Sequence, residues 1–329
     1  MNPSFNNAGL ALALISCASF ATSGPFAASL IAAGWSPGAA VTARVAIAAL
    51  VLAIPASLQL RSRRPTRGSV RTLVVYGVLA VAGAQLCFFN AVAHLSVAIA
   101  LLLEYSGILL VVGWVWARHG QRPSRLTVLG GVVALAGLVL VLNLVGSQRL
   151  DPTGLFWAVG AAIGLAAYFV LTAHDDGSLP PLVMAGGGLA VGALVLGGAA
   201  AVGVLPWAAP ATTVTLLGRQ VSWLIPVAGL SLVAAVLSYV TGIAGVRLLG
   251  ARLASFVGLT EVLFAVLFAW LLLGQRLAVV QILGGVLVVA GIALVRLDEL
   301  RGGDLHTGRP AAVDLEVAPP HVEGQRLSG

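Results

Sequence analysis

Residues 120–142 (GQRPSRLTVLGGVVALAGLVLVL) and residues 274–296 (GQRLAVVQILGGVLVVAGIALVR) follow one pattern at an offset of 154 positions. Eleven of the 23 aligned residues are identical, among them the GQR triplet and the glycines at Gly130, Gly131 and Gly137. Apolar low complexity alone does not produce matches at a charged triplet and at spaced glycines. The sequence therefore predicts an internal repeat, whose copies we place at residues 8–145 and 154–296.

The composition is that of a membrane protein. Hydrophobic residues make up 59% and charged residues 9% of the chain, with a mean hydropathy of +1.03, whereas soluble chains carry about 25% charged residues. Apolar runs of about 20 residues, each long enough to cross a bilayer, recur along the chain. We predict an all-α membrane protein with ten transmembrane helices at residues 8–33, 38–57, 72–93, 96–117, 126–145, 154–173, 181–204, 221–245, 253–274 and 277–295.

Each repeat holds five helices, an odd number, so the two copies must insert with opposite orientations. Such inverted repeats are typical of transporters, whose binding site lies near the membrane midplane between the repeats. Pro25 and Pro226 are expected to bend their helices, because proline removes a backbone hydrogen bond.

The arginines orient the bundle. All 18 basic residues are arginines, and fourteen fall in the tail and in loops on the side of the N-terminus, against three on the other side. Because positive charge marks the cytoplasmic side, we predict a cytoplasmic N-terminus (1–7) and a disordered cytoplasmic tail (297–329). Membrane orientation explains the net charge of +7 without nucleic acid. The absence of lysine beside abundant alanine, glycine, valine and arginine indicates a GC-rich bacterial genome, hence a bacterial plasma (inner) membrane.

Two lone carboxylates lie in the apolar helices. They are Glu104 in LLLEYSGILL and Glu261 in VGLTEVLFAV, at an offset of 157, which we interpret as matching places in the two repeats. A charge at bilayer depth costs at least about 2.5 kcal/mol and usually has a function. Burial disfavours the charged form of a carboxylate, so both glutamates are candidates for binding a proton or a substrate. The alternative is a neutral glutamate that hydrogen-bonds a neighbouring helix.

Other polar residues in the helices are secondary candidates. Arg44 could pair with Glu104 or Glu261, bind a substrate carboxylate through its bidentate fork, or extend to the membrane surface. Five residues could line a polar cavity or simply hydrogen-bond between helices: Gln85, Asn90, Tyr105, Tyr168 and Tyr239. His94, at the end of the third helix, is expected at the membrane interface. Cys17 and Cys87 are expected to pack, with no metal site.

These features together resemble the drug/metabolite transporter superfamily, specifically its ten-helix EamA-type members. FATSGPFAASLIAAGWSPGAAVTARVAIAAL (20–50) is similar to the family's first hairpin, including an arginine at Arg44. VAIALLLEYSGILL (97–110) resembles the threonine/homoserine exporter branch, whose fourth helix has a glutamate at the position of Glu104. FVGLTEVLFAVLFAWLLLGQRL (256–277) resembles the second-repeat motif, which usually ends in Gly-Glu-Arg. Gln275 replaces that glutamate here, as Gln121 does in the first repeat.

The resemblance implies a secondary active transporter. We predict proton-coupled export of small metabolites, such as amino acids, or of amphipathic drugs, by alternating access. Glu104 and Glu261 would bind protons or a cationic substrate in competition, and Arg44 would balance the charge. The expected partners are the substrate, protons and the lipid bilayer, and the chain could form a homodimer.

Alternatives remain open at this point. An uncoupled facilitator or a lipid-linked carrier (a flippase) would have the same fold. A membrane enzyme acting on lipid head groups would need an acidic cluster, for which HDDG (174–177) is the one candidate. The chain has no P-loop or HExxH motif, so we predict neither enzyme activity nor a cofactor.

Overall fold

The computed structural model describes residues 3–61, 66–120, 122–144, 151–173, 179–273 and 277–307. In these ranges the chain is mostly helical, with one small hairpin. The α-helices are α1 (Pro3–Ala21), α2 (Ser23–Ala32), α3 (Pro37–Arg61), α4 (Arg67–Tyr76), α5 (Ala84–His94), α6 (Val97–Tyr105), α7 (Gly107–His119), α8 (Arg125–Val141), α9 (Pro152–Ala173), α10 (Pro181–Ala201), α11 (Leu224–Ala228), α12 (Ser238–Leu249), α13 (Ala251–Gly258), α14 (Thr260–Leu273) and α15 (Val279–Thr307). Two π-helical segments, Gly77–Gly83 and Gly229–Leu237, join α4 to α5 and α11 to α12. The hairpin consists of β1 (Thr213–Leu216) and β2 (Arg219–Ser222).

The predicted ten-span architecture is confirmed. Nine helical stretches in the described ranges are long and apolar enough to cross a membrane, and α8, with 17 residues, is the shorter tenth. In chain order we call them spans 1 to 10. Spans 1, 4 and 9 each consist of two helices, α1–α2, α6–α7 and α13–α14, and spans 3 and 8 contain the π-helical segments. Spans 2, 5, 6, 7 and 10 are α3, α8, α9, α10 and α15.

The two repeats are related by a pseudo-two-fold axis, which glycine contacts reveal. A Cβ on Gly130 would lie 2.7 Å from the carbonyl oxygen of Gly291, and one on Gly137 would lie 2.7 Å from that of Gly284. Since Gly284 and Gly291 are the repeat equivalents of Gly130 and Gly137, the two pairs exchange partners, as a two-fold axis requires. From the first contact pair to the second, the residue number increases in α8 and decreases in α15. These two helices are therefore antiparallel, and the repeats are inverted.

A second set of contacts gives the same result. A Cβ on Gly9 would lie 2.8 Å from Leu248 Cβ, and one on Gly154 would lie 2.8 Å from His94 Cβ. Leu248 is the repeat equivalent of His94 at the offset of 154. Accordingly span 1 packs on span 8, and span 6 packs in the equivalent way on span 3.

The offset between the repeats is not constant. In spans 2 and 7 the sequence ALVL occurs at 49–52 and at 193–196, an offset of 144. From span 3 onward the offset is 154. The second repeat therefore has about ten more residues between spans 7 and 8, which is where the β-hairpin lies.

The hairpin was not predicted. Val221 and Ser222 were expected to begin a helix, but they lie in β2, and α11 begins at Leu224. Leu217 and Gly218 form the two-residue turn with φ of 52° and 73°, as the turns that match strand twist require. Consecutive β-branched residues before this turn, at 212–215, favour strands. The prediction that a span begins at residue 221 was therefore wrong.

The hairpin connection marks one end of the bundle, which we call the hairpin end. There Trp35 Nε1 donates to the carbonyl of Pro210 (2.9 Å), and Ser36 Oγ donates to that of Pro206 (2.7 Å). At the opposite end, the terminal end, Arg296 Nη2 donates to Asn7 Oδ1 (2.8 Å). Helix α15 continues past residue 297 to Thr307, so the prediction of disorder was wrong for residues 297–307.

Helix α9 begins at the hairpin end with an aspartate cap. Asp151 Oδ1 accepts hydrogen bonds from the backbone N–H groups of Thr153 (2.7 Å) and Gly154 (3.2 Å). Bonds from Gly154 and then Thr153 lower the pKa of Asp151, because they favour its charged form. HDDG (174–177), Gln121 and Gln275 lie outside the described residues.

Candidate functional site

A cavity of about 380 Å³ lies between the two repeats. It is lined by residues of spans 1, 2, 3, 4, 6, 8 and 9. Seven of the eight polar residues singled out in the sequence contribute to its wall: Arg44, Gln85, Glu104, Tyr105, Tyr168, Tyr239 and Glu261. Residues as far apart in the chain as Arg44 and Glu261 therefore line the same cavity.

The remaining polar candidates lie elsewhere. Asn90 is not among the lining residues, and its side-chain amide donates to the carbonyl of Leu86 in its own helix (2.7 Å). His94 is exposed at the end of α5, outside the cavity. The lining role proposed for Asn90 is therefore not seen, because its side chain binds its own backbone.

The cavity opens toward the hairpin end. Its lining includes three exposed residues, Gly24, Ile31 and Pro37, of which the last two flank the loop between spans 1 and 2. Toward the terminal end the bundle is packed by buried side chains such as Leu253 and Phe256. An ion pair and a hydrogen bond also join the spans at this end. Arg252 Nε lies 3.2 Å from Glu299 Oε1, and Thr127 Oγ1 donates to Asp298 Oδ2 (2.6 Å).

Glu104 and Glu261 lie beside breaks in their helices. Glu104 is the second-last residue of α6, and Glu261 is the second residue of α14. The breaks are equivalent, because Ser106 Oγ donates to the carbonyl of Leu103 (2.5 Å) and Thr260 Oγ1 donates to that of Val257 (2.7 Å), again at an offset of 154. Tyr105, next to Glu104, lines the same cavity as the two glutamates.

The two glutamates are nevertheless not equivalent in the repeat. At the offset of 154, Glu104 corresponds to Gly258 and Glu261 corresponds to Gly107. Matching them at an offset of 157 was wrong by three residues. Residues three or four apart lie on the same helix face, so both side chains still reach the cavity, and the shift was hidden by the uniform apolar sequence around them.

Arg44 points into the cavity without an ionic partner. Its side chain is 4% exposed, so it does not extend to the membrane surface. Its guanidinium carbon lies 4.4 Å from the centre of the Phe20 ring, a cation–π geometry. Among the described residues no carboxylate lies within 4.0 Å of its nitrogens, and Nε and Nη2 are buried without a hydrogen-bond partner. The ion pair with Glu104 or Glu261 is thus absent.

Aromatic rings make up much of the remaining wall. Tyr168 and Tyr239 lie 6.2 Å apart between ring centres, and Phe20 lies 6.5 Å from Tyr239. Sequence reasoning missed four lining phenylalanines, namely Phe20, Phe88, Phe89 and Phe169. A helical period counted from Gln85 would have found two of them, because Phe88 and Phe89 follow it at i+3 and i+4.

Smaller groups complete the wall. Ser16 Oγ donates to the backbone carbonyl of Ser238 (2.8 Å), joining spans 1 and 8 beside the cavity. Cys17 also lines the cavity, whereas Cys87 is half-buried outside it. No group of three or more His, Cys, Asp or Glu side chains suited to a metal ion occurs in the described part of the chain.

The fold and the cavity define a class of protein. Ten spans in two inverted repeats, with a partly polar cavity between the repeats, form the architecture of a secondary transporter. The chain belongs to the EamA-like transporter family, whose model matches it twice, at residues 7–143 and 152–297.

Solved structures support the fold. One crystal structure, described only as that of a protein, aligns with this chain at a TM-score of 0.71. The alignment includes 92% of this chain and 99% of the other chain. At 20% identity this likeness shows the fold alone. No curated protein matches the chain.

Proposed function

We propose that the protein is a proton-coupled secondary transporter that exports small organic molecules, such as amino acids or drugs, across a bacterial inner membrane. The observation that carries this proposal is the placement of Glu104 and Glu261, from different repeats, in one cavity between the repeats. A membrane-embedded carboxylate that faces a cavity is typical of proton and substrate pathways.

The two carboxylates are suited to exchange a proton for a substrate. They line one cavity, and like charges that share a site disfavour the state in which both are ionised. A proton or a cationic group relieves this repulsion, so the two compete for one place. The pair would titrate as a unit rather than as two independent groups. Competition of this kind couples substrate release on one side to proton uptake there.

Alternating access is supported by the inverted repeats. The cavity opens toward the hairpin end and is closed at the terminal end by packed side chains and by the Arg252–Glu299 ion pair. Exchanging the conformations of the two repeats would close the first end and open the second. The arginine distribution predicts that the hairpin end faces outward and that both termini are cytoplasmic.

The experiment is proton-coupled transport in proteoliposomes. Purified Glu104→Gln and Glu261→Gln variants are reconstituted with a pH-sensitive dye inside, and amino acids or the cationic dye ethidium are added under an imposed pH gradient. We expect the wild type to exchange substrate for protons and both variants to fall to the level of empty liposomes. Asp151→Asn is the matched control, because Asp151 lies outside the cavity and asparagine also caps a helix.

Two results would contradict the proposal. Unchanged proton exchange in both cavity variants would remove the glutamates from the coupling mechanism. Substrate flux in the wild type without any proton movement would instead identify an uncoupled facilitator of the same fold.

A further inference from the structure

Arg44 is a buried cation with two guanidinium nitrogens that have no hydrogen-bond partner among the described residues. Its side chain is 4% exposed, and Nε and Nη2 have no partner among the described residues. Buried charged groups in proteins are normally paired or hydrogen-bonded. Glu261 attracts the guanidinium electrostatically but does not pair with it. The polar edge of Arg44 is therefore free to bind another group in the cavity.

The unused atoms have a definite geometry. Nε and Nη2 form one edge of the planar guanidinium, and their two N–H groups donate in parallel to the two oxygens of a carboxylate. Phe20 covers the guanidinium at 4.4 Å. That contact holds the plane of the guanidinium and leaves its edge for an oxyanion.

We propose that Arg44 binds the carboxylate of the transported substrate, whose apolar body lies against Phe20, Phe88 and Phe89. The inference rests on the proposed transport function and names its substrate class, an organic acid of amphipathic shape. A cavity of about 380 Å³ is within the range of small-molecule sites, which are mostly apolar with a few placed polar groups. The carboxylate comes either from a simple organic acid or from an amino acid, whose ammonium group the glutamates would bind.

The charges around Arg44 predict the pH dependence. The titratable side chains that face the cavity from the neighbouring spans are Cys17, Glu104, Tyr105, Tyr168, Tyr239 and Glu261. Ionised Glu104 and Glu261 repel an incoming carboxylate, and their protonation removes that repulsion. An organic acid without an amino group should therefore bind more tightly as the pH falls. A cation that competes with protons should bind more weakly.

Three probes with the same apolar body separate the possibilities. 3-Phenylpropanoate carries only a carboxylate, phenethylamine carries only an ammonium group, and phenylalanine carries both. Binding to purified wild-type protein in detergent is measured by calorimetry at about pH 6 and about pH 8, where an ordinary carboxylic acid with a pKa of about 4 stays ionised. We expect 3-phenylpropanoate or phenylalanine to bind, and the former to bind more tightly at the lower pH.

The variants test the residue itself. Arg44→Gln should weaken binding of the carboxylate probes at least about tenfold, because it leaves the carboxylate without its charged partner. Arg44→Lys keeps the charge without the fork and should lie between Arg44→Gln and the wild type. Arg125→Gln, at an exposed position at the start of α8, should bind as the wild type does. Phe20→Leu tests the stacking contact if Arg44→Gln does not yield a monodisperse protein.

The outcomes are separable from those of the proposed function. Loss of carboxylate binding in Arg44→Gln, or in Phe20→Leu where that variant is needed, supports the inference even if the glutamate variants show no proton coupling. Binding by 3-phenylpropanoate indicates an organic acid, and binding by phenylalanine alone indicates an amino acid. Binding that Arg44→Gln leaves unchanged overturns the inference. So does binding by phenethylamine alone, or by none of the three probes.

Discussion

Arg44 in span 2 and Gly188 in span 7 occupy equivalent positions of the two repeats, but their surroundings are opposite. Arg44 faces the cavity beside Phe20. Gly188 is covered by the ring of Tyr76, which is fully buried. The backbone frame is the same on both sides of the axis, whereas the side chains leave one side hollow and fill the other. The symmetry of this protein therefore comes from backbone packing, and its cavity comes from residues that the repeats do not share.

The two cavity carboxylates are likewise residues that the repeats do not share. Each glutamate corresponds to a glycine in the other repeat, Glu104 to Gly258 and Glu261 to Gly107. At Gly107 even a Cβ would overlap the carbonyl oxygen of Ala162, so a glutamate could not fit there. The carboxylate pair is thus built once, from one residue of each repeat, and is not a symmetric duplicate.

The largest expected effect comes from disrupting the glycine contacts between α8 and α15. A Cβ on Gly284 would lie 2.6 Å from Val141 N and 2.7 Å from Gly137 O, and backbone atoms cannot move aside individually. We expect the double change Gly137→Ala with Gly284→Ala to cost about 3 kcal/mol or more, at the upper end for overpacking. Thermal unfolding in detergent measures this. Gly113→Ala is the control, since no atom lies within 4 Å of its Cβ position.

The control should match or slightly exceed the wild type in stability, because alanine favours a helix over glycine by up to about 1 kcal/mol. If the double variant unfolded at the same temperature as Gly113→Ala, the glycine contacts would not hold the repeats together.

A smaller effect is expected from filling the packed side. A Cβ on Gly188 would overlap Cδ1 and Cε1 of the Tyr76 ring. Because that ring is buried, we expect Gly188→Ala to cost about 2 kcal/mol. Gly197→Ala, in the same helix and with no atom within 4 Å, should cost nothing. Equal unfolding temperatures for the two variants would mean that the packed side has room to spare.

The sequence predicted the repeat, the spans and seven polar residues of the cavity, because these depend on apolar length and on rare polar residues. Glu104, Glu261 and Arg44 stand out in an apolar background, and chemistry alone selects them. The register between the glutamates could not be obtained in this way, since a shift of three residues keeps a side chain on nearly the same helix face.

Other features of the fold and of the cavity were not predicted. The π-helical segments at Gly77–Gly83 and Gly229–Leu237 are backbone irregularities within continuous apolar sequence, and their equivalence is visible only in the structure. Phe20 was one apolar residue among many until the packing placed it against Arg44. The hairpin was missed, and the last two residues of β2, Val221 and Ser222, were assigned to the apolar span that follows it.

The smallest expected effect concerns the hydroxyl of Tyr76 on the packed side. It is buried near Thr172, and neither hydroxyl makes a hydrogen bond of good geometry with any described residue. An unsatisfied buried hydroxyl is unfavourable, whereas the ring still covers Gly188. We therefore expect Tyr76→Phe to raise stability by roughly 1 kcal/mol, measured as a higher unfolding temperature. A lower one would show that the hydroxyl is hydrogen-bonded in the folded protein, and the packed side would then be polar like the cavity across the axis.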